Sequence, residues 1–275
     1  MDKTLVHKKE KLYYTFCLIF CITIYLILLG SVLIFPYFLG VILVYLFLII
    51  MASILVHGLM VGNILNHGVK LNERQFPNIY SRVVEMCRRM GISKIPDIYI
   101  VQSDGFLNAF ASRFLGRSFV VLYSDIVELE YMEGADELDF VIAHELAHIK
   151  RKHVSNYLIL PALWVPYLGS AYSRGCELTC DRMAAYYTGK PQSAVYGLAL
   201  MAVGKELYRK VNIADFLMTY QNDSSIFRSL ARILSSHPPL PVRIKEIEMF
   251  FMQANNYQAQ QQVSHTSNSQ GAMFG

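Results

Sequence analysis

The sequence predicts an α+β chain, predominantly helical, in which an N-terminal hairpin of two transmembrane helices precedes a compact domain with a small sheet. Three observations carry that reading. From Leu12 to Val69 there is no Asp, Glu, Lys or Arg, and about 20 apolar residues suffice for each crossing of a bilayer core. After Asn72, charge, proline and glycine return at the density of a water-exposed domain. Within that domain two short apolar runs, DIYIV and SFVVLY, are separated from longer segments whose apolar residues recur at helical spacing. The expected organisation is a membrane anchor over 1–69, a folded domain over 70–253, and a Gln-, Asn- and Ser-rich tail over 254–275 that is expected to be disordered.

Hydrophobic residues make up 54% of the 275 positions, more than a soluble domain usually carries. The formal net charge of +4 is too mild for a nucleic-acid partner, and no basic stripe interleaved with aromatics supplies one. Five cysteines without a repeating spacing form no disulfide framework and suit a reducing compartment.

Taken in chain order, the first membrane helix is expected over about Leu12–Ile34 and the second over about Tyr37–Val61, with the turn at Phe35-Pro36-Tyr37. The uncharged run is far longer than the core of a secretory signal. Lys3, Lys8, Lys9 and Lys11 precede it, Lys70, Arg74 and Arg82 follow it, and the turn has no cation. By the positive-inside tendency both ends face the cytoplasm. His57 is an ionisable group inside the second helix, read as a neutral side chain near the interface with a helix-side partner.

Asn78–Met90 reads as a helix, with Pro77 at its start and Gly91 as its stop. Asp97–Val101 and Ser118–Tyr123 read as strands, with an edge strand over Phe106–Ala111 between them. A short helix begins at Ser124 and stops near Gly134. A longer one, capped by Asp136 and Asp139, runs to about His153 with Leu138, Ile142, Leu146 and Ile149 as its buried stripe. The apolar, proline-broken stretch Tyr157–Tyr172 is too short to cross twice, and contact with the membrane interface is expected of it. Further helices are expected over Ser173–Tyr187, Ser193–Arg209 and Pro241–Met252.

The chemistry lies on the face of the long helix opposite its stripe. His144-Glu145-Leu146-Ala147-His148 is an H-E-x-x-H pattern. Histidines four apart on a helix share one face and can bind one zinc, while Glu145 beside them can act on a metal-activated water. A catalytic zinc needs a third protein ligand. The H-x-x-G-x-x-H extension is absent, because Arg151 and Val154 stand where its glycine and histidine would be. The charged residues around the motif place it outside the bilayer. Glu177 is the best-placed carboxylate for the third ligand, and Asp181, four residues on, can orient a ligating imidazole from behind.

Several motifs in order now resemble the HtpX-like membrane metalloproteases, relatives of the CAAX prenyl endopeptidases: Asn108-Ala109-Phe110, the helix from Glu137 through His148, Ser173-Arg174 with Glu177 and Asp181, and His237-Pro238 with Arg243. The resemblance runs from the hairpin to about Met252. It implies a gluzincin-type zinc peptidase domain over 70–253, Glu177 as third ligand, one Zn2+ per chain, and polypeptide substrates cleaved in membrane-protein quality control. It also places His237 beside the cleft, with Asn108, as candidate donors to the oxyanion formed during hydrolysis; a second reading has His237 filling the open position of the metal at rest. HtpX-like proteins commonly carry two further membrane helices between the motif and the third ligand, and the separation of His148 from Glu177 leaves no room for them. The expected protein is therefore a two-span, multi-pass enzyme of the cell membrane with its protease domain cytoplasmic. The alternatives are a CAAX-type processing peptidase and a catalytically silent, zinc-stabilised scaffold; Glu145 argues against the latter, since a structural site needs ligands but no base.

Overall fold

A computed structural model describes residues 2–102, 109–114, 116–222 and 225–253. It is mainly helical, with two N-terminal apolar helices and one small mixed sheet. The expected tail over 254–275 lies outside the described residues.

Helix α1 spans Lys8–Ile34 and α2 spans Phe38–His67, each long and apolar enough to cross a membrane. The turn falls where Pro36 bars its predecessor from helical backbone, and Phe35 sits at φ −128° with its N–H on Ser31 O. Leu33, Ile34, Leu43, Tyr45 and Phe47 are exposed along the hairpin, a cost in water that lipid removes.

Both helices run further into the folded domain than expected. The first turns of α1 pack Cys17 and Cys21 against Ile159, Ala162, Tyr172 and Cys176. Ile64 of α2 packs on Phe119 and Val121. His57 sets Nε2 3.2 Å from Ser112 Oγ and its ring near Phe114, so its partner comes from the edge strand of the folded domain rather than from the helix side. All five cysteines are free and buried.

The sheet has the order β1-β2-β4-β3: Val69–Lys70, Asp97–Val101, Arg117–Tyr123 and Ala109–Phe114. β2 and β4 are parallel, and the other pairs are antiparallel. Ile98, Ile100, Val120 and Leu122 face the main helical core, whereas Tyr99, Phe119 and Val121 face α2, so both faces are covered. The edge strand is described from Ala109 and runs on to Phe114, past the expected Ala111; 106–108 lie outside the described residues.

Helix α3, Pro77–Met90, stops at Gly91 with φ 67° as anticipated. Helix α4, Ala135–Lys150, corrects two expectations. No side chain caps it: the N-cap is Gly134, and Asp136 and Asp139 lie within the helix, where they pair with Lys190 and with Arg82 Nε at 2.8 Å. It ends at Lys150, and Lys152, at φ 59°, turns the chain so that His153 starts a separate short turn, His153–Ser155. The apolar stretch becomes two short turns, Tyr157–Ile159 and Leu160–Leu163, laid along α1.

Helix α5, Leu168–Thr188, starts earlier than expected. Helix α6, Pro191–Val203, stops at Gly204, whose φ of 87° ends it before the predicted Arg209. Helices α7, Ile213–Asn222, and α8, Ile226–Leu234, were not anticipated. The last of the described helices, α9, covers 240–253.

Candidate metal centre

Helices α4 and α5 pack face to face through Leu138, Leu146, Cys180 and Met183. α4 therefore presents His144, Glu145 and His148 to one side, and α5 answers with Glu177 and Asp181. The nitrogens of His144 and His148 and a carboxylate oxygen of Glu177 lie within 4.8 Å of one another. The two Nε2 atoms are 3.3 Å apart, with Glu177 Oε2 3.5 Å from His144 and Oε1 3.3 Å from His148. This convergence of two imidazoles and one carboxylate is the donor set of a three-ligand catalytic zinc, so the residues present fit that ion.

Behind the donors stands a second layer. Asp181 Oδ1 is 3.0 Å from His144 Nδ1, although the angle makes no hydrogen bond and leaves that nitrogen without one. Arg243 of α9 reaches Asp181 twice, Nε to Oδ2 and Nη2 to Oδ1, each at 2.7 Å, and its Nη2 is 3.4 Å from Glu177. The planar fork suits such two-point contact. His237 Nδ1 lies 3.2 Å from Glu177 Oε2 while its side chain stays 65% exposed.

These contacts set the proton affinities. Burial alone would lower the pKa of His144, but Asp181 and Glu177 reverse that and push it up to about 10. Burial would raise Glu177, yet His144, His148, His237 and Arg243 hold it well below the usual carboxylate range. Asp181 is likewise held down against burial, by Arg243 first. The Glu177 carboxylate raises His237. The pocket thus favours positive charge at His144 and His237, a place a divalent cation can take from a proton.

The donors open into a cleft of about 410 Å³. Ala109–Ala111 of the outermost strand form one wall, and His237, Pro238 and Leu240 another; Glu145 and Phe140 also line it. The structure therefore brings His144, Glu145, His148, Glu177, Asp181 and His237 to one place, while Asn108 lies outside the described residues. The paired contacts of Arg243 were not anticipated, although a lone arginine in an apolar helical stripe with Ile244 and Ile247 was a signal of a buried partner. Nor was the role of His153, whose Nδ1 is 3.2 Å from His148 Nδ1.

Comparison with known proteins bears on what such a centre does. The model of peptidase family M48 matches residues 73–166 and 157–250. The chain is 30% identical over 206 residues to the plastoglobule-localized metallopeptidase 48 of Arabidopsis thaliana, covering 66% of this chain and 58% of that protein. A protease HtpX homolog of Halobacterium salinarum is 38% identical over 84 residues, 30% of this chain and 27% of the homolog. One from Thermococcus kodakarensis is 26% identical over 223 residues, 64% and 74% respectively. The first two alignments thus span less than two thirds of those relatives.

Proposed function

The chain belongs to peptidase family M48 as an HtpX-like metallopeptidase, and from that premise we propose a membrane-anchored zinc endopeptidase whose metal is held by His144, His148 and Glu177. The observation that carries the proposal is the convergence of those three donors on one point of a cleft that also contains Glu145. A zinc bound there supplies a Lewis acid for the scissile carbonyl and lowers the pKa of water. Glu145 takes a proton from the attacking water and passes one to the leaving amine. Asp181, fixed by Arg243, places a carboxylate behind His144 Nδ1, and the strand Ala109–Phe114, with a sheet neighbour on one side only among the described residues, offers its backbone to an extended peptide. His237 acts as a donor to the developing oxyanion.

Both chain ends of the hairpin are assigned to the cytoplasmic side, with the protease domain, on the strength of the flanking lysines and arginines. Exposed Tyr157, Leu158, Trp164, Ile226 and Phe227 support substrates that lie at or in the bilayer, the class expected in membrane-protein quality control.

Zinc analysis joined to peptide cleavage tests the centre. Glu145→Gln should keep about one zinc per chain and lose about 10²–10⁴ in kcat, whereas His148→Ala or Glu177→Ala should lose the metal. Full zinc affinity in Glu177→Ala, or equal cleavage by wild type and Glu145→Gln, would reject the assignment.

A further inference from the structure

Glu10 is the one carboxylate among Lys8, Lys9 and Lys11 at the start of α1, where an acid ordinarily serves the helix dipole in water. Here its side chain is only 4% exposed. The burial follows from a close approach of backbones. A Cβ on Gly175 of α5 would lie 2.7 Å from the Glu10 nitrogen and 2.8 Å from its Cα, so only glycine lets α1 rest on α5 there. One turn earlier, the His7 N–H donates to Thr179 Oγ1 at 3.0 Å. The start of the membrane helix is thereby clamped to the helix that carries Glu177 and Asp181.

Buried in this way, the Glu10 carboxylate faces two partners. Arg151 Nη2 is 2.7 Å from Oε1, and His153 Nε2 is 3.3 Å from the same oxygen, close enough to pair but, like His144 Nδ1, not angled for a hydrogen bond. The His153 side chain is 6% exposed, and its other nitrogen, Nδ1, meets His148 Nδ1 at 3.2 Å, with Cys180 Sγ at 3.6 Å. His148 in turn has its Nε2 among the three donors.

Only one placement of protons serves every atom of this series. When His148 Nε2 binds a metal, its proton must sit on Nδ1, which donates to His153 Nδ1. His153 then carries its proton on Nε2, the nitrogen beside the Glu10 carboxylate that Arg151 holds in place; a small turn of the ring would make that contact a hydrogen bond. Ligating histidines take their tautomer and ring orientation from just such partners, and Asp181 stands in the equivalent position behind His144. The Cys180 thiol is a weak donor and competes little for His153 Nδ1.

We propose that Glu10 of the membrane helix and His153 form a positioning relay that fixes the tautomer and orientation of His148, so that seating of the anchor on α5 completes the metal centre. The relay rests on the reading of His144, His148 and Glu177 as ligands. A different occupant of the same residues is a second cation on Glu10, His153 and Cys176, whose donor atoms also lie within 4.8 Å of one another; the Arg151 guanidinium bound to Glu10 opposes it.

The test measures zinc affinity by chelator competition, and the absorption spectrum of the cobalt-substituted protein, on the full chain in lipid nanodiscs. Glu10→Leu and His153→Leu should each weaken zinc binding by about 10–100-fold and shift the cobalt bands. The double variant should lose no more than the worse single, because both residues act through one series. Glu10→Gln, which keeps an acceptor oxygen and the shape of the side chain, should recover most of the loss. Tyr14→Leu, which loosens the packing of α1 on α5 away from the relay, should leave affinity within about twofold of wild type on the same scale. Wild-type affinity in Glu10→Leu, additive losses, an equal loss in Tyr14→Leu, or two zinc ions per chain with one lost in Cys176→Ala would each overturn the relay. His148→Ala separates the two levels: if it loses zinc while Glu10→Leu does not, the relay alone falls, and if it keeps zinc, the ligand assignment falls first.

Discussion

Within the metal centre, each charged side chain is legible through its nearest partner. Arg243 is 4% exposed, and its guanidinium is tolerable there because Asp181 takes two of its donors and Glu177 lies beside it. Removing one member of so buried a pair leaves the other uncompensated, so Asp181 is held for the imidazole as much by α9 as by its own helix. His237 differs in being exposed, and its Nδ1 contact with Glu177 orients the ring over the cleft mouth. His237→Ala should lower kcat by about 10²–10³, the usual loss for one oxyanion donor, with KM and zinc content unchanged. A rise in kcat would instead identify the ring as an occupant of the metal's open position. A second residue-scale prediction concerns acid. Glu246 is pulled down to about 2 by His7 first, against burial, and then by Arg182. Because its folded value lies below the ordinary 4.5, the stability it supplies is complete above pH 4.5 and disappears as pH falls toward 2. The pair is part-exposed, so about 1 kcal/mol is expected. Denaturant titrations of wild type and Glu246→Gln should differ by that amount near pH 6 and converge below pH 3; a constant difference across the range would remove Glu246 from the account.

Between elements, the decisive contact is the crossing of α1 on α5. Gly175→Ala places a methyl group inside 3 Å of the Glu10 backbone, and backbone cannot turn aside as a side chain can. The substitution should destabilise the fold by about 1–3 kcal/mol, the range for overpacking, and should weaken zinc binding in parallel as Glu10 is pushed away. Thermal unfolding with and without a chelator checks it; an unchanged melting temperature would mean that α1 is not seated as described. This crossing also marks where the sequence stops being readable. The membrane helices followed from missing charge, the strand Asp97–Val101 from alternation, and the ends of α3 from Pro77 and Gly91, all local signals. His144, His148 and Glu177 were visible because ligand chemistry restricts residue type and spacing. Cys17 and Cys21 were not, since an apolar residue facing lipid and one facing protein read alike. Glu10 was hidden for a similar reason: its meaning depends on Gly175, far away in the chain. The missed helix α7 had a local sign after all, in the Asn212 side chain that accepts the Asp215 N–H at 3.1 Å. The overlong α6 and the misplaced cap of α4 arose because Gly204 takes a backbone conformation that only its φ reveals, and because Asp136 and Asp139 lie within α4 and pair there with Lys190 and Arg82.

For the molecule as a whole, the hairpin is a ruler against which the depth of the other parts can be read. Both the start of α1 and the last turns of α2 pack on the domain, so in the proposed two-span topology the uncharged turn at Pro36 would mark the far side of the bilayer. Ile34 ends α1, and a helix rises about 1.5 Å per residue, which puts Tyr25 about 14 Å from that end, near the middle of a core about 30 Å thick. The Tyr25 hydroxyl donates to Leu158 O at 3.1 Å. In the proposed two-span topology the segment from Tyr157 to Leu163 would be carried below the membrane surface, deeper than the interfacial contact expected from sequence, and it has the composition to go there, with no Asp, Glu, Lys or Arg between Lys152 and Arg174. Its short, irregular turns leave carbonyls that lipid cannot satisfy, and the Tyr25 hydroxyl meets one of them. Trp164 reports on this directly, being the sole tryptophan of the chain and 67% exposed. In vesicles its emission should be blue-shifted and quenched by lipids brominated along the acyl chain. Both effects should weaken in Tyr25→Phe, which removes the hydroxyl and leaves the ring. Emission at the wavelength of tryptophan in water, quenched by iodide and untouched by brominated lipid, would place the segment outside the bilayer. The cleft, whose donors sit on the two helices flanking this segment, would then have to receive its substrates from the aqueous side alone.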